Sequence, residues 1–271
     1  MGRPLWKGTI NFGLVSIAVQ LETAVREKQV RFNLLSKDGM CRLRQKLYCP
    51  DTGKEFEYGD TARGIEIAPH QYAIIDKAEI AKIKPHRGRA IDIEQFVAIE
   101  ELDPIYFDAA YYVAPTADSL KPYKLFQAAM LERKKAGLAR FVMHDRQHVA
   151  ALRAADQGLI LHTMHYADEV LPIGDSLPTS LATAHATATE AKIARQLIDQ
   201  MTEPVDLTRF KDDYREQLEA LIESKKKGKA IKLVEDDEEE PPATINLMEA
   251  LKRSLEVTKS REATHPRRKS A

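Results

Sequence analysis

The chain has 271 residues, of which 44% are hydrophobic, enough to bury a full core in one large domain or in a domain with appendages. Its 41 Lys and Arg residues are balanced by 41 Asp and Glu, so bulk charge points to no anionic partner, and any such partner has to be read from local segregation. No apolar run approaches the roughly 18 residues of a membrane span, and Met1 to Trp6 lacks the layout of a secretory signal, which predicts a cytoplasmic protein. The 2 cysteines, Cys41 and Cys49, are too few for a disulfide framework and are expected as free thiols unless they bind a metal.

From Ile10 to Leu21 the run INFGLVSIAVQL mixes β-branched and aromatic residues and reads as strand. Residues 26 to 58 alternate polar and apolar, with turn signals at Lys37-Asp38-Gly39 and Pro50-Asp51-Thr52-Gly53, which predicts a long exposed hairpin system. Further strands are expected over Gln71 to Ile75, Ile91 to Ile99, Tyr111 to Ala114, Ala139 to Met143, His148 to Leu152 and Gly158 to Tyr166, a number that favours a barrel or sandwich. One helix interrupts them from Lys121 to Lys135, with Leu125, Ala128, Ala129 and Leu131 as its apolar stripe and Gly137 as its stop.

After Pro178 the pattern turns helical. Thr187 and Glu190 have capping-box spacing, Ala194, Leu197, Ile198 and Met201 share a face, and Glu203-Pro204 ends the helix. A second helix runs from Phe210 through Tyr214, Leu218, Leu221 and Ile222 into Lys225-Lys226-Lys227-Gly228. The acidic run Glu235 to Glu240 with Pro241-Pro242 reads as a flexible linker. It leads to a short helix with Asn246 and Glu249 at capping-box spacing and an apolar face of Leu247, Met248, Leu251 and Leu255, then to the basic tail Arg267-Arg268-Lys269. The expected organisation is α+β: a core over 1–177, a helical region packed on it over 178–228, and a linker, helix and tail over 229–271.

The most informative segment for chemistry is Cys41-Arg42-Leu43-Arg44-Gln45-Lys46-Leu47. As a strand it places Arg42, Arg44 and Lys46 on one face and Leu43 and Leu47 on the other. Residues 26 to 54 hold eight cations (Arg26, Lys28, Arg31, Lys37, Arg42, Arg44, Lys46, Lys54) against three acids (Glu27, Asp38, Asp51). Segregation of this kind in a neutral protein suits a phosphate backbone, although a solvated face protecting a sheet edge has the same pattern. The competing use of Cys41, Cys49, His162 and His165 is a zinc site. The cysteines have no CxxC partner, and the two histidines project to opposite faces of one strand, so no metal or other cofactor is expected. No GxSxG, Walker loop, HExxH or GxGxxG occurs, and the chain is not read as an enzyme.

Several blocks together carry a resemblance: Leu5-Trp6-Lys7-Gly8 with Phe12-Gly13-Leu14-Val15, Leu102 to Asp108 (LDPIYFD), Leu161 to Glu169 (LHTMHYADE), Tyr214 to Glu223 (YREQLEALIE) and Leu247 to Leu251 (LMEAL). Spanning nearly the whole chain, they resemble the bacterial Ku family. The resemblance implies a β-barrel with a projecting arm at about residues 26 to 70, two copies pairing so that their arms close a ring around duplex DNA. A ring is entered only from a terminus, so the implied function is sequence-independent binding of double-stranded DNA ends in non-homologous end joining, near the nucleoid. An arm strand of about 15 residues at about 3.3 Å each would outreach half the circumference of a duplex.

Arg31, Lys37, Arg42, Arg44, Lys46, Lys54 and Arg63 are then the candidate phosphate contacts. The resemblance also implies the ATP-dependent DNA ligase D as partner, contacted through the C-terminal region, with Leu247, Met248, Leu251 and Leu255 as candidates. Many family members carry a CxxC-like pair in the arm. Here Thr52 stands at the matching place, so no thiol or metal role is carried over. The alternative is a β-barrel that binds nucleic acid laterally, without dimer or ring.

Overall fold

The computed structural model describes residues 4–37, 41–83, 88–227 and 247–264, and the chain divides into two compact units, Met1–Pro172 and Ile173–Ala271. The expected linker at 235–240, the Asn246 cap and the basic tail lie outside the described residues. No described helix is long and apolar enough to cross a membrane.

The first unit is built on a closed seven-strand barrel with an inserted arm. The expected first strand, Ile10 to Leu21, is a hairpin: β1 (Trp6–Phe12) and β2 (Val15–Thr23) pair from Trp6↔Leu21 to Phe12↔Val15. The break is at Gly13, whose φ of 55° fits a two-residue hairpin turn that an L side chain would strain. Continuous hydrophobicity across this turn concealed it in the sequence. The remaining barrel strands are β7 (Ala90–Ala98), β8 (Phe107–Pro115), β9 (Lys135–Met143), β10 (Arg146–Ala155) and β11 (Gly158–Met164). The order is β1-β2-β8-β11-β10-β9-β7, and the barrel closes because β7 runs parallel to β1 at Thr9↔Ala90, Ile10↔Ile91 and Asn11↔Asp92.

Period-two alternation fills the interior: Ile17, Val19 and Leu21 from β2, Leu159 and Leu161 from β11, and Ile10, Ile91 and Leu152 across from them are all sealed from solvent. One end of this core is closed by α2 (Leu120–Arg133). The buried face of α2 is not the one expected. Tyr123, Phe126, Gln127 and Met130 point inward, whereas Leu125 is 73% exposed.

That choice follows from what each face can satisfy. The Tyr123 hydroxyl donates to the Val113 carbonyl oxygen at 2.7 Å and accepts from the Leu159 N–H at 2.7 Å. The Gln127 amide donates to the carbonyl oxygens of Ala155 and Asp156. Large aromatics with hydrogen-bonded tips bury more apolar area than the Leu/Ala stripe and leave the barrel rim satisfied. The helix ends at Lys134, in the left-handed region at φ 52°, and not at Gly137. Gly137 lies inside β9, where a Cβ would press on Ile93 at 3.2 Å.

Between β2 and β7 the chain forms β3 (Leu47–Tyr48), β4 (Glu55–Phe56), β5 (Arg63–Ala68), β6 (Gln71–Ile75) and α1 (Lys77–Ile83). β3 pairs with β4 and β5 with β6, as separate two-stranded ribbons. The expected long arm strand is therefore absent among the described residues, replaced by short ribbons joined by irregular chain.

The second unit contains α3 (Ala188–Met201), α4 (Asp213–Lys226) and α5 (Leu247–Thr264). The capping box at α3 forms as its spacing predicts: the Glu190 N–H donates to the Thr187 hydroxyl, and the Thr187 N–H donates to the Glu190 carboxylate. That pairing holds the Glu190 carboxyl below the usual range, through hydrogen bonds from the Thr187 hydroxyl and then its N–H. α4 starts later than Phe210, because the Asp212 side chain accepts from the Arg215 N–H and caps the helix there. α5 packs against α3.

Candidate nucleic-acid interface

The sequence-predicted cations sit on the arm. Arg42 is opposite Leu35 in an isolated bridge, supported by the Leu43 N–H donating to the Leu34 carbonyl oxygen and the Ser36 N–H to that of Cys41. Pairing stops there. Residues 43–46 take no strand geometry, so the expected one-faced row Arg42, Arg44, Lys46 is not fixed by a sheet. Alternation in sequence implied a ladder, but a ladder needs a partner strand, and this segment has one at a single residue pair.

Beyond it, β3 and β4 are joined by a turn organised on Cys49. The Cys49 N–H donates to the Lys54 carbonyl oxygen at 2.9 Å and the Gly53 N–H to the Cys49 carbonyl oxygen at 2.8 Å, with Gly53 at φ 66°. The Thr52 hydroxyl, followed by the N–H groups of Thr52 and Asp51, hydrogen-bonds to the sulfur and lowers the Cys49 thiol pKa. Thr52 thus serves this turn as a donor to sulfur. Cys41 and Cys49 are both free thiols.

Two of the candidate cations have local partners. Lys46 pairs with Glu55 at 2.8 Å across the ribbon, and the Lys54 ammonium stands 5.4 Å from the centroid of the Phe56 ring. Both lie at the surface, where such pairs contribute little to stability. Arg31, Lys37, Arg42, Arg44 and Arg63 are exposed and have no side-chain hydrogen bond or ion pair among the described residues. Arg63 belongs to the β5–β6 ribbon, opposite Ile75, and so shares no sheet with the others.

What the sequence reading missed is the apolar character of the same arm. From Glu22 to Ile83 no described residue is buried, yet Phe32, Leu34, Leu35, Leu43, Tyr48, Tyr58, Ile65, Ile67, Tyr72 and Ile74 all lie open to solvent. In β5–β6 both faces are involved: Ile65 sits on one, Tyr72 and Ile74 on the other. Period-two hydrophobicity over Gln71 to Ile75 predicts a strand there, and Tyr72 and Ile74 on that strand have no cover among the described residues.

The histidines considered as metal ligands are separated. On β11 the His162 Nε2 accepts a hydrogen bond from Arg153 Nε at 2.9 Å, and burial followed by the Arg153 charge lowers its pKa, holding the ring neutral. His165 lies beyond the strand, its Nδ1 3.6 Å from the Glu169 carboxylate. No group of three metal-ligating side chains occurs among the described residues.

The C-terminal candidates are not free. Met248, Leu251 and Leu255 are half-buried in the helix that packs on α3, while the Leu247 side chain lies outside the described set. An apolar face expected to stand apart on a tether has a neighbour within its own unit.

A family model for the Ku70/Ku80 beta-barrel domain matches residues 11–199, which include the barrel strands β2 and β7 to β11 and the whole arm. The chain belongs to the Ku family. It is 37% identical over 261 residues to a Non-homologous end joining protein Ku of Solibacter usitatus, covering 96% of each chain. It is 37% identical over 258 residues to one of Archaeoglobus fulgidus, covering 95% of this chain and 100% of the relative, and 34% identical over 266 residues to one of Koribacter versatilis. These Ku relatives match it almost end to end, so arm, barrel and helical unit are shared as a set.

If the arm cations meet phosphates, replacing Arg42, Arg44 and Lys46 together by Ala weakens duplex binding equally for unrelated sequences. The slope of log affinity against log salt then falls by up to about 0.9 per lost contact. A salt titration on two duplexes of different sequence checks it; an unchanged slope removes these residues from the interface.

Proposed function

We propose that two copies of this chain form a ring that threads onto double-stranded DNA ends and holds them for joining. The observation that carries the reading is the uncovered arm. A segment with more than ten large apolar side chains in solvent and no buried residue among those described does not hold a fixed shape alone, and a second copy of the same arm is a cover of matching character. The helical unit supports it in the same way. None of its described residues is buried, and Val205, Leu207, Phe210 and Tyr214 are largely exposed. The names carried by the relatives, Non-homologous end joining protein Ku, supply the substrate.

Selectivity for ends then needs no base readout, because a closed ring admits duplex only at a terminus and exposed Arg and Lys meet the backbone whatever its sequence. Linear duplex is expected to bind, and duplex of the same sequence capped by large closed structures at both ends is not. Equal binding of the two would replace the ring by a barrel that binds laterally.

Delivery of the held ends to the ATP-dependent ligase D is assigned to α5, whose Met248, Leu251 and Leu255, half-buried in the helix packed on α3, would dock in a partner's groove only once α5 releases α3. Deleting residues 243–271 is expected to leave end binding intact and to abolish stimulation of the ligase. Full stimulation by the truncated protein would exclude α5 as the contact.

A further inference from the structure

We propose that Lys7, Arg89 and His144 form a second phosphate-binding site, at the root of the arm, distinct from the cations carried on the arm itself. They line one cleft of about 570 Å³ with Pro4, Leu5, Trp6, Val142 and Asp145. Three separate pieces of barrel bring them there. Lys7 follows Trp6 on β1, Arg89 immediately precedes β7, and His144 lies in the turn between β9 and β10, where His144 and Asp145 both have positive φ, at 51° and 63°.

The cleft is built rather than incidental. Trp6 is fixed across its floor by its Nε1–H donating to the Val142 carbonyl oxygen at 2.9 Å and by an edge-on contact with Phe141. Arg89 is fixed along the backbone, its carbonyl oxygen accepting from the Thr9 N–H at 2.8 Å. The three side chains have no hydrogen bond or ion pair among the described residues, whereas Asp145, the acid in the lining, is engaged. Acids further along β7 are also occupied: Asp92 accepts from Asn11, and Glu94 pairs with Arg140. In the cleft itself Lys7 and Arg89 outnumber the single acid, Asp145, beside an indole that excludes water from one side.

A guanidinium, an ammonium and an imidazole N–H around one cleft match a phosphate, which takes a forked donor, a point charge and a further hydrogen bond on separate oxygens. Position supplies the source. Both ends of the arm, leaving at Thr23 and returning at Ala90, attach at this rim, because Trp6 pairs with Leu21 and Thr9 with Ala90. The inference rests on the ring reading, since any duplex enclosed by the arm passes its root.

The test is the full-length double variant Lys7→Gln with Arg89→Gln, titrated with salt on a short linear duplex bearing either 5′-hydroxyl or 5′-phosphate ends. The slope of log affinity against log salt is expected to fall by up to about 1.8, at about 0.9 per contact. A fall on both duplexes assigns backbone phosphates, and a fall on the phosphorylated one alone assigns the terminal phosphate. The charge-preserving pair Lys7→Arg with Arg89→Lys keeps the wild-type slope. Thermal unfolding reports folding, and the two single variants, each expected to lose up to about 0.9, stand in if the double variant fails to fold. Unchanged slopes on both duplexes overturn the site. Failure of the ring itself shows separately, as equal binding of wild-type protein to linear and end-capped duplex.

Discussion

The barrel closes at one parallel seam, and the arm depends on that seam. β1 and β7 are far apart in sequence, and parallel neighbours require a long crossover between them. Here the crossover contains β2 and the entire arm, so pairing Thr9 with Ala90 also sets the arm's two attachments at the same end of the barrel. The seam is tight. A Cβ on Gly8 would stand 2.1 Å from the Arg89 carbonyl oxygen and 2.3 Å from the Trp6 ring, so the Trp-Lys-Gly motif near the start of the chain is a requirement for close backbone approach. Trp6 reaches past β7 to bond the backbone of β9, binding three strands of the closing edge together.

Energetically the two parts of the first unit contrast. The barrel has an apolar buried core, polar tips paired at Tyr123 and Gln127, and a helix sealing one end. The arm has short ribbons, exposed apolar side chains and unpaired cations. A packed anchor holding a segment whose apolar side chains lie exposed suits a device that closes around something, and the dimeric ring proposed above is the assembly that would use both properties.

Barrel strands after residue 90 were legible because alternation over buried faces is strong there, as in Leu159, Leu161 and Thr163. The capping box at Thr187 and Glu190 was legible because its chemistry is local. Three features were not. Gly13 turns the chain within an unbroken apolar run. α2 buries Tyr123, Phe126, Gln127 and Met130 because polar tips find backbone partners on strands that the local pattern does not reveal. Lys7, Arg89 and His144 meet only through the register of β1, β7 and the β9–β10 turn, long-range pairings that leave no local trace. The basic pattern at 42 to 46 misled in the opposite direction, since alternation without a partner strand does not make a sheet face.

The central claim is that a second copy covers the arm, and solution mass tests it most directly. Sedimentation of the full chain alone and with a short linear duplex is expected to give a species of twice 30.6 kDa in both cases, with one duplex added in the second. A species of 30.6 kDa that binds duplex without pairing would contradict it.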